Sequence, residues 1–364
     1  MILVFTSVTD GGIVQFSIQV TTELIKKGIP CRCFLPNGFI GTISDEIKPY
    51  IYEYEKVKTI SLTNKELNPI VEKIKDIYPD IIWYIDAGIL SSEICIKLSR
   101  SYKQYITLHD PVRHHPTNTF SIYNNLKEVF FRFMSNTAVN YSDKVILLSE
   151  ESRNQYLEKH KNQKNKLFLF NLGAHIPEIK GIIPPECENV TTEFILFFGR
   201  IDKYKGISTL LKAFKECERL NNYLIIAGKG DLTEEERYLM EQCKNLILVN
   251  RYITDAEQIW LFQNSKVLML PYIEASQSGI IPLAYKFGKP VIVSNIPGLT
   301  QFVNDGETGF ICDKIVDYVE ALDNVYNTAI PFSENCIKYY DDNLDWSRSI
   351  ERLFPNTYHN EQNS

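Results

Sequence analysis

A chain of 364 residues has room for two domains, each large enough for its own core. Charged residues at 23% and hydrophobic ones at 44% are ordinary for a soluble globular protein, and no apolar run approaches bilayer-spanning length, which argues against a membrane-embedded chain. The net charge of −6 is uneven, +3 over residues 1–170 and −9 over the rest, so the N-terminal part is better suited to an anionic surface or acceptor.

The start, MILVFTSVTDGG, lacks a basic stretch before its apolar residues and reads as a first strand, not a signal peptide. Ile2 to Phe5 form that strand. A helix follows Asp10–Gly11–Gly12, with Ile13, Phe16, Val20 and Leu24 on one face and a stop at Gly28. Cys31 to Leu35 is the next strand. A helix carrying Leu67, Ile70, Val71, Ile74 and Ile77 ends before Pro79, and Ile81–Ile85 is again a strand. Tyr105–Leu108 leads into His109–Asp110–Pro111, and Lys144–Leu148 into Ser149. This alternation predicts a parallel sheet with helices on both faces. Residues 113–140 are less regular. Phe120, Ile122, Tyr123, Leu126, Val129, Phe130, Phe131 and Phe133 make a broad apolar face, read as a core helix or, more sharply, as a patch that touches lipid.

Gly173–Glu193, with Pro177, Pro184 and Pro185, interrupts the pattern and reads as a connection between domains. A second α/β series begins at Phe194. Phe194–Phe198 is a short apolar run of the kind that makes a strand buried on both faces. Beyond the loop that follows it, Ile207, Leu210, Leu211 and Phe214 fall at helical spacing. Further strands are predicted at Tyr223–Ala227, Leu246–Val249, Lys266–Leu270 and Val291–Val293, and a last helix at Leu344–Leu353. The eight cysteines show no CxxC pair or Cys/His grouping with metal-ligand spacing. They read as reduced, buried residues of a cytosolic protein, and a structural zinc site is not expected.

Candidate chemistry gathers at the loops that follow strands. Arg200 and Lys205 sit at the carboxyl end of one strand and just ahead of a helix, where open α/β sheets place ligands and helix N-termini favour anions. Together they suit a phosphate or diphosphate; two solvated loop charges are the plainer reading. Glu274–Gly279 follows another strand, with Glu274 able to accept from hydroxyls and the Ser278–Gly279 backbone open to a phosphate oxygen. A polar turn is the alternative. His109, at the end of a buried strand, suits either a substrate hydroxyl or a structural hydrogen bond. The sequence lacks GxGxxG, GxSxG and a P-loop.

The order GRIDKYKGISTLLKAF, LIIAGKGDL, LPYIEASQSGIIPLAYKFGKPVIVSNIPGL closely resembles the C-terminal domain of glycosyltransferase family 4, over about Phe194 to Val325. Weaker echoes lie in Gly11–Gly12, in LHDP at Leu108–Pro111, in VILLS, in Asn171–Gly173 and in LDWSRSI. The resemblance implies an α/β protein with the GT-B fold, two Rossmann-like domains facing each other across a cleft. Residues 1–172 would form the acceptor-side domain, with the helix of 344–364 returning to it, and residues 173–343 the donor-binding domain. It implies a retaining, metal-independent transferase (EC 2.4 type) without a cofactor, using a UDP- or GDP-sugar as donor. The acceptor would be a glycan or a lipid-diphosphate-linked sugar chain in surface polysaccharide assembly. The protein would lie in the cytoplasm at the inner membrane face, with a peripheral contact through the N-terminal domain and no nucleic acid partner. Residue by residue, the resemblance implies that Arg200 and Lys205 neutralise the departing diphosphate and that Glu274 contacts the donor sugar. Gln277, Ser278 and Gly279 would lie along sugar and phosphates. Gly12 would let the first domain close on the donor, His109 would sit near the transferred sugar, and Arg251–Tyr252 would fall at the nucleobase pocket. One position departs from the family pattern: the second glutamate, which commonly holds the donor ribose, is replaced by Leu283. Other GT-B chemistry (a nucleotide-sugar epimerase or a sugar-phosphate synthase) and a non-catalytic nucleotide-sugar-binding subunit are the competing readings.

Overall fold

The structure is a computed structural model that describes residues 1–9, 11–39, 43–57, 64–109, 122–174, 176–217 and 222–355; the side chains of 64–66 and 122–128 are outside that description. The chain divides into two compact units, Met1–Phe170 with Trp346–Ser364, and Asn171–Asp345.

Among its described residues unit 1 holds seven parallel strands: β1 (Ile2–Phe5), β2 (Cys31–Pro36), β3 (Ile51–Tyr54), β4 (Ile81–Tyr84), β5 (Lys103–Leu108), β6 (Lys144–Leu147) and β7 (Leu167–Leu169). Their order is β3-β2-β1-β4-β5-β6-β7, so the strand sequence reverses between β1 and β4. The crossovers run through α1 (Gly11–Lys26), α2 (Asn64–Ile77), α3 (Ile89–Leu98), α4 (Ile122–Tyr141) and α5 (Glu150–Lys159). Central strands are buried on both faces, as Leu3, Val4, Phe5, Ile82, Trp83 and Ile106 show. The last helix of the chain packs here: Trp346 meets Phe16 and Phe170 edge-on at 5.3 and 6.4 Å between ring centres.

Unit 2 holds six parallel strands: β8 (Phe194–Phe198), β9 (Tyr223–Ala227), β10 (Leu246–Val249), β11 (Ser265–Leu270), β12 (Val291–Ser294) and β13 (Gly309–Cys312). The order β10-β9-β8-β11-β12-β13 reverses between β8 and β11. The helices that matter for the site are α6 (Ile207–Glu216), α7 (Glu234–Glu241), α8 (Asp255–Asn264), α9 (Ile280–Lys286) and the short α10 (Pro297–Thr300). In α6 the helically spaced Ile207, Leu210, Leu211 and Phe214 all enter the core, which is why that segment is helical at all. The stretch Gly173–Glu193, expected as a connection, contributes to this unit: Cys187 and Val190 are in its core, and Ile182 donates its N–H to the Ala256 carbonyl at 2.9 Å.

None of the eight cysteines forms a disulfide, and seven are buried. Burial pushes the Cys31, Cys33 and Cys95 thiols up to about 12, so they remain protonated and unreactive at neutral pH. Among the described residues no helix is long and apolar enough to cross a membrane. Of the irregular stretch 113–140, residues 113–121 lie outside the description; on α4, Val129 and Phe133 are exposed one turn apart, while Ala138 and Val139 are buried. The wide core-facing helix expected there is thus buried only toward its C-terminal end among the described side chains.

Candidate functional site

In a doubly wound sheet the point where strand order reverses leaves a crevice between two diverging loops, and ligands bind there. In unit 2 those loops follow β8 and β11, and they are the two that carry Arg200, Lys205, Glu274, Gln277, Ser278 and Gly279. The loops are locked together by backbone. Ile273 donates its N–H to the Tyr204 carbonyl at 2.8 Å. Gly206 takes the left-handed conformation (φ 69°) and lies so close to β11 that a Cβ on it would stand 1.8 Å from the Pro271 carbonyl oxygen. From behind, Gly298 of α10 supports the second loop; its Cβ would be 1.9 Å from the Ala275 carbonyl oxygen.

Both cations are held by tyrosines. Arg200 donates from Nη2 to the Tyr204 hydroxyl at 3.2 Å, and that bond holds its guanidinium above the usual range. The Lys205 ammonium lies 3.6 Å from the centre of the Tyr272 ring and 4.8 Å from that of Tyr204. Such contacts stabilise a cation by about 0.5–2 kcal/mol, more as water is removed. Burial, and then the nearby Arg200 charge, lower the lysine to about 7, with Asp202 pulling the other way. Ser276 and Ser278 are buried and Gln277 is half-buried, whereas Glu274 and Gly279 are exposed. The Ser278 hydroxyl is buried against the Tyr272 phenol at the floor of the second loop. Leu283, on α9, is in the core at 6% exposure, so this position offers no polar atom to a ribose.

Beside this crevice, at the carboxyl ends of β9 and β10, is a cavity of about 430 Å³ lined by Gly230, Asp231, Leu232, Met240, Leu248 and Asn250. The Asn250 amide shapes its mouth by accepting from Gly230 N at 3.0 Å and donating to Gly230 O at 2.9 Å. Tyr252 is 61% exposed just beyond it. Arg251, expected beside it at the nucleobase pocket, is committed elsewhere. It donates to Glu186 at 2.9 and 2.8 Å and to Glu257 at 3.0 and 2.7 Å. Those bonds hold Glu257 well below the carboxylate range, at about 2. Glu257 also closes the N-terminal cap of α8 through Thr254. Arg251→Ala is expected to cost about 1–3 kcal/mol, since it leaves a nearly buried carboxylate short of donors. A depressed carboxylate stabilises above its ordinary pKa and loses that contribution as pH falls towards 2. The gap between wild type and variant in urea unfolding should therefore narrow between pH 5 and pH 2; a gap independent of pH would refute the assignment.

In unit 1 the reversal point is between β1 and β4, and a residue not singled out from sequence organises it. Asp86, two residues after the end of β4 and 4% exposed, accepts five hydrogen bonds. Thr6 Oγ1 (3.0 Å), Ser7 N (2.7 Å) and Ser7 Oγ (2.6 Å) come from the loop after β1. Gly88 N (2.8 Å) and Ser91 Oγ (3.0 Å) come from its own side. That loop leads to Gly12, which is exposed in the first turn of α1 with open space around it. His109 follows the adjacent β5, and its Nε2 lies 2.9 Å from the Ile85 carbonyl; a carbonyl only accepts, so Nε2 carries a proton. Its ring meets the edge of Phe16 on α1. Gly12, Asp86 and His109 are therefore gathered at one reversal point, while Asp110 and Arg113–His115 lie outside the described residues.

Residues 179–341 match the model of the family described as glycosyl transferases group 1. An uncharacterized glycosyltransferase of Haemophilus influenzae is 26% identical over 335 residues, 87% of each chain. The capsular polysaccharide biosynthesis glycosyltransferase CapM of Staphylococcus aureus is 29% identical over 139 residues, about a third of each chain (35% and 36%). Among solved structures, HepE of Anabaena, determined in complex with UDP and glucose, superposes with a TM-score of 0.72 at 14% identity, covering 97% of this chain and 98% of its own. The fold is that of the GT-B glycosyltransferases, and the relatives include enzymes of polysaccharide biosynthesis.

Proposed function

We propose that this protein is a retaining glycosyltransferase that moves a sugar from a nucleoside-diphosphate sugar to a glycan or lipid-linked acceptor in surface polysaccharide assembly. The observation that carries the reading is the unit 2 crevice. Two cations held by tyrosines and a buried Ser278 hydroxyl converge where the strand order reverses. Breaking the bond between sugar and diphosphate leaves negative charge on the diphosphate oxygens. Preorganised cations stabilise that charge more in the transition state than in the bound donor. Arg200 supplies a planar fork and Lys205 a point charge. Glu274 and Gln277 accept from sugar hydroxyls, with Gly279 leaving room for the backbone to approach. The adjacent 430 Å³ cavity takes the base, with Tyr252 at its edge. HepE was solved with UDP-glucose, which favours a uridine nucleotide over GDP. Gly12 and His109 of unit 1 serve the transferred sugar and its acceptor.

The test is a panel of UDP-, GDP- and TDP-sugars. One of them should raise the melting temperature and be hydrolysed slowly without acceptor. Arg200→Ala and Lys205→Ala should each weaken nucleoside-diphosphate binding by about 10–100-fold, the loss of one charge-assisted contact. Unchanged affinity in both would remove the clamp. Chelation should leave turnover intact; activity lost to EDTA and restored by magnesium would replace the metal-independent scheme. The buried Leu283 favours one second reading, a binding subunit without turnover. Tight donor binding with no hydrolysis, even with membrane extract as acceptor, would select it.

A further inference from the structure

We infer that Tyr272 is a positioning residue for Lys205: its buried ring, opposite Tyr204, holds the ammonium over the β8–β11 crevice and presents its N–H groups to an arriving diphosphate. This rests on the reading of that crevice as a diphosphate site and extends it to a residue that touches neither phosphate nor sugar.

The geometry is specific. Lys205 Nζ stands 3.6 Å from the Tyr272 ring centre, close contact for a cation on an aromatic face. Among the described residues that ammonium has no hydrogen bond and no ion pair, so its three N–H donors are unspent. A half-buried ammonium in that state is held on the two rings, and an arriving anion takes the N–H donors that point away from them. Tyr272 is itself fixed. It is 2% exposed, and its carbonyl accepts from Ser294 Oγ at 2.5 Å on the neighbouring β12. Tyr204 completes the arrangement, with its hydroxyl on Arg200, its ring on Lys205 and its carbonyl on Ile273 N. Two like charges five residues apart are thereby held at the same crevice despite their repulsion.

The charged and titratable groups that face Lys205 are Arg200, Asp202 and Tyr204 from its own loop and Tyr272 from the other. Burial pushes the Tyr272 phenol up, so it stays neutral and its ring face electron-rich. With the lysine near 7, a diphosphate recruits the protonated form. Affinity is then greatest below that pH and falls as pH rises through it.

The experiment is a double-mutant cycle read by calorimetry with UDP and with GDP. Tyr272→Phe keeps the ring and should leave affinity within about twofold, because the ring face and not the hydroxyl carries the effect. Tyr272→Leu should lose about tenfold, with Tyr272→Met as a second variant should the leucine chain melt early. In a Lys205→Met background the same Tyr272→Leu change should cost nothing further. Binding at pH 8, measured in buffers of different ionisation heat, should take up a proton in wild type and none in Lys205→Met. An equal loss from Tyr272→Leu with and without Lys205, or a phenylalanine as costly as a leucine, overturns the inference while the diphosphate site stands. Wild-type protein that binds neither nucleotide removes the site and this inference together.

Discussion

Gly206→Ala is expected to destabilise unit 2 by about 2–5 kcal/mol and to abolish nucleoside-diphosphate binding, the sum of a backbone and a packing effect. The backbone part arises because Gly206 sits at φ 69°, ψ 32°, where an L side chain costs about 1–2 kcal/mol. The packing part arises because the new Cβ would stand 1.8 Å from the Pro271 carbonyl oxygen, a main-chain atom at the end of a central strand. Nothing flexible yields there, so the two loops must part. Parting them breaks the Ile273–Tyr204 hydrogen bond and lifts Lys205 off Tyr272. Gly28 is an internal control: its φ is 68°, but a Cβ meets nothing within 4 Å. Gly28→Ala should therefore cost only the backbone part, about 1–2 kcal/mol, and leave binding unchanged. Urea unfolding followed by amide exchange in residues 194–216 measures the difference. Equal costs for the two glycines would show that the close approach to Pro271 is not a constraint.

What was legible in the sequence follows from burial. The central strand β8 has both faces covered, so Phe194–Phe198 appears as an uninterrupted apolar run and its bounds were predicted as found. The strands without a prediction are β3, β7 and β13, and each lies at an edge of its sheet. In β3, Tyr52 and Glu53 face solvent, and β7 is only half-buried throughout, so neither shows an apolar run. Arg200 and Lys205 could be singled out because charge just after an apolar strand is a local pattern. Asp86 could not: the loop it holds is 79 and 80 residues earlier, and an isolated aspartate carries no sign of that. Tyr272 carries no such local sign, and only the fold brings Lys205 onto its ring. Arg251 shows the converse. Its place in the chain suggested a nucleobase contact, but one of its carboxylate partners, Glu186, lies in a stretch that reads as a connection.

Asp86→Ala should cost about 3–5 kcal/mol, the largest single effect expected in unit 1, because it strips one acceptor group from five donors at once. The hydroxyls of Thr6, Ser7 and Ser91 can rotate towards other acceptors. The N–H groups of Ser7 and Gly88 cannot, and each backbone donor left buried costs about 1–3 kcal/mol. Asp86→Asn retains one acceptor but turns an NH₂ towards the same donors, so about 2 kcal/mol is expected. Amide exchange at Ser7 and Gly88 should accelerate in both variants. The functional consequence follows from what Asp86 holds. The loop after β1 leads into Gly12 and α1, so loosening it should lower turnover by about tenfold or more, comparable to misplacing a positioning group. Nucleoside-diphosphate affinity should change less than about twofold, because Arg200, Lys205 and Ser278 are in unit 2 and untouched. Loss of turnover with binding preserved would thus assign the β1–β4 crevice to the transfer step. If Asp86→Asn keeps full turnover, the glycine loop needs no fixed geometry, and Gly12 has no part in the reaction. Gly88→Ala tests the same knot from the other side. Its Cβ would stand 2.6 Å from Asp86 Oδ1 and 2.7 Å from Ser7 Oγ, pushing the carboxylate away from the loop it holds.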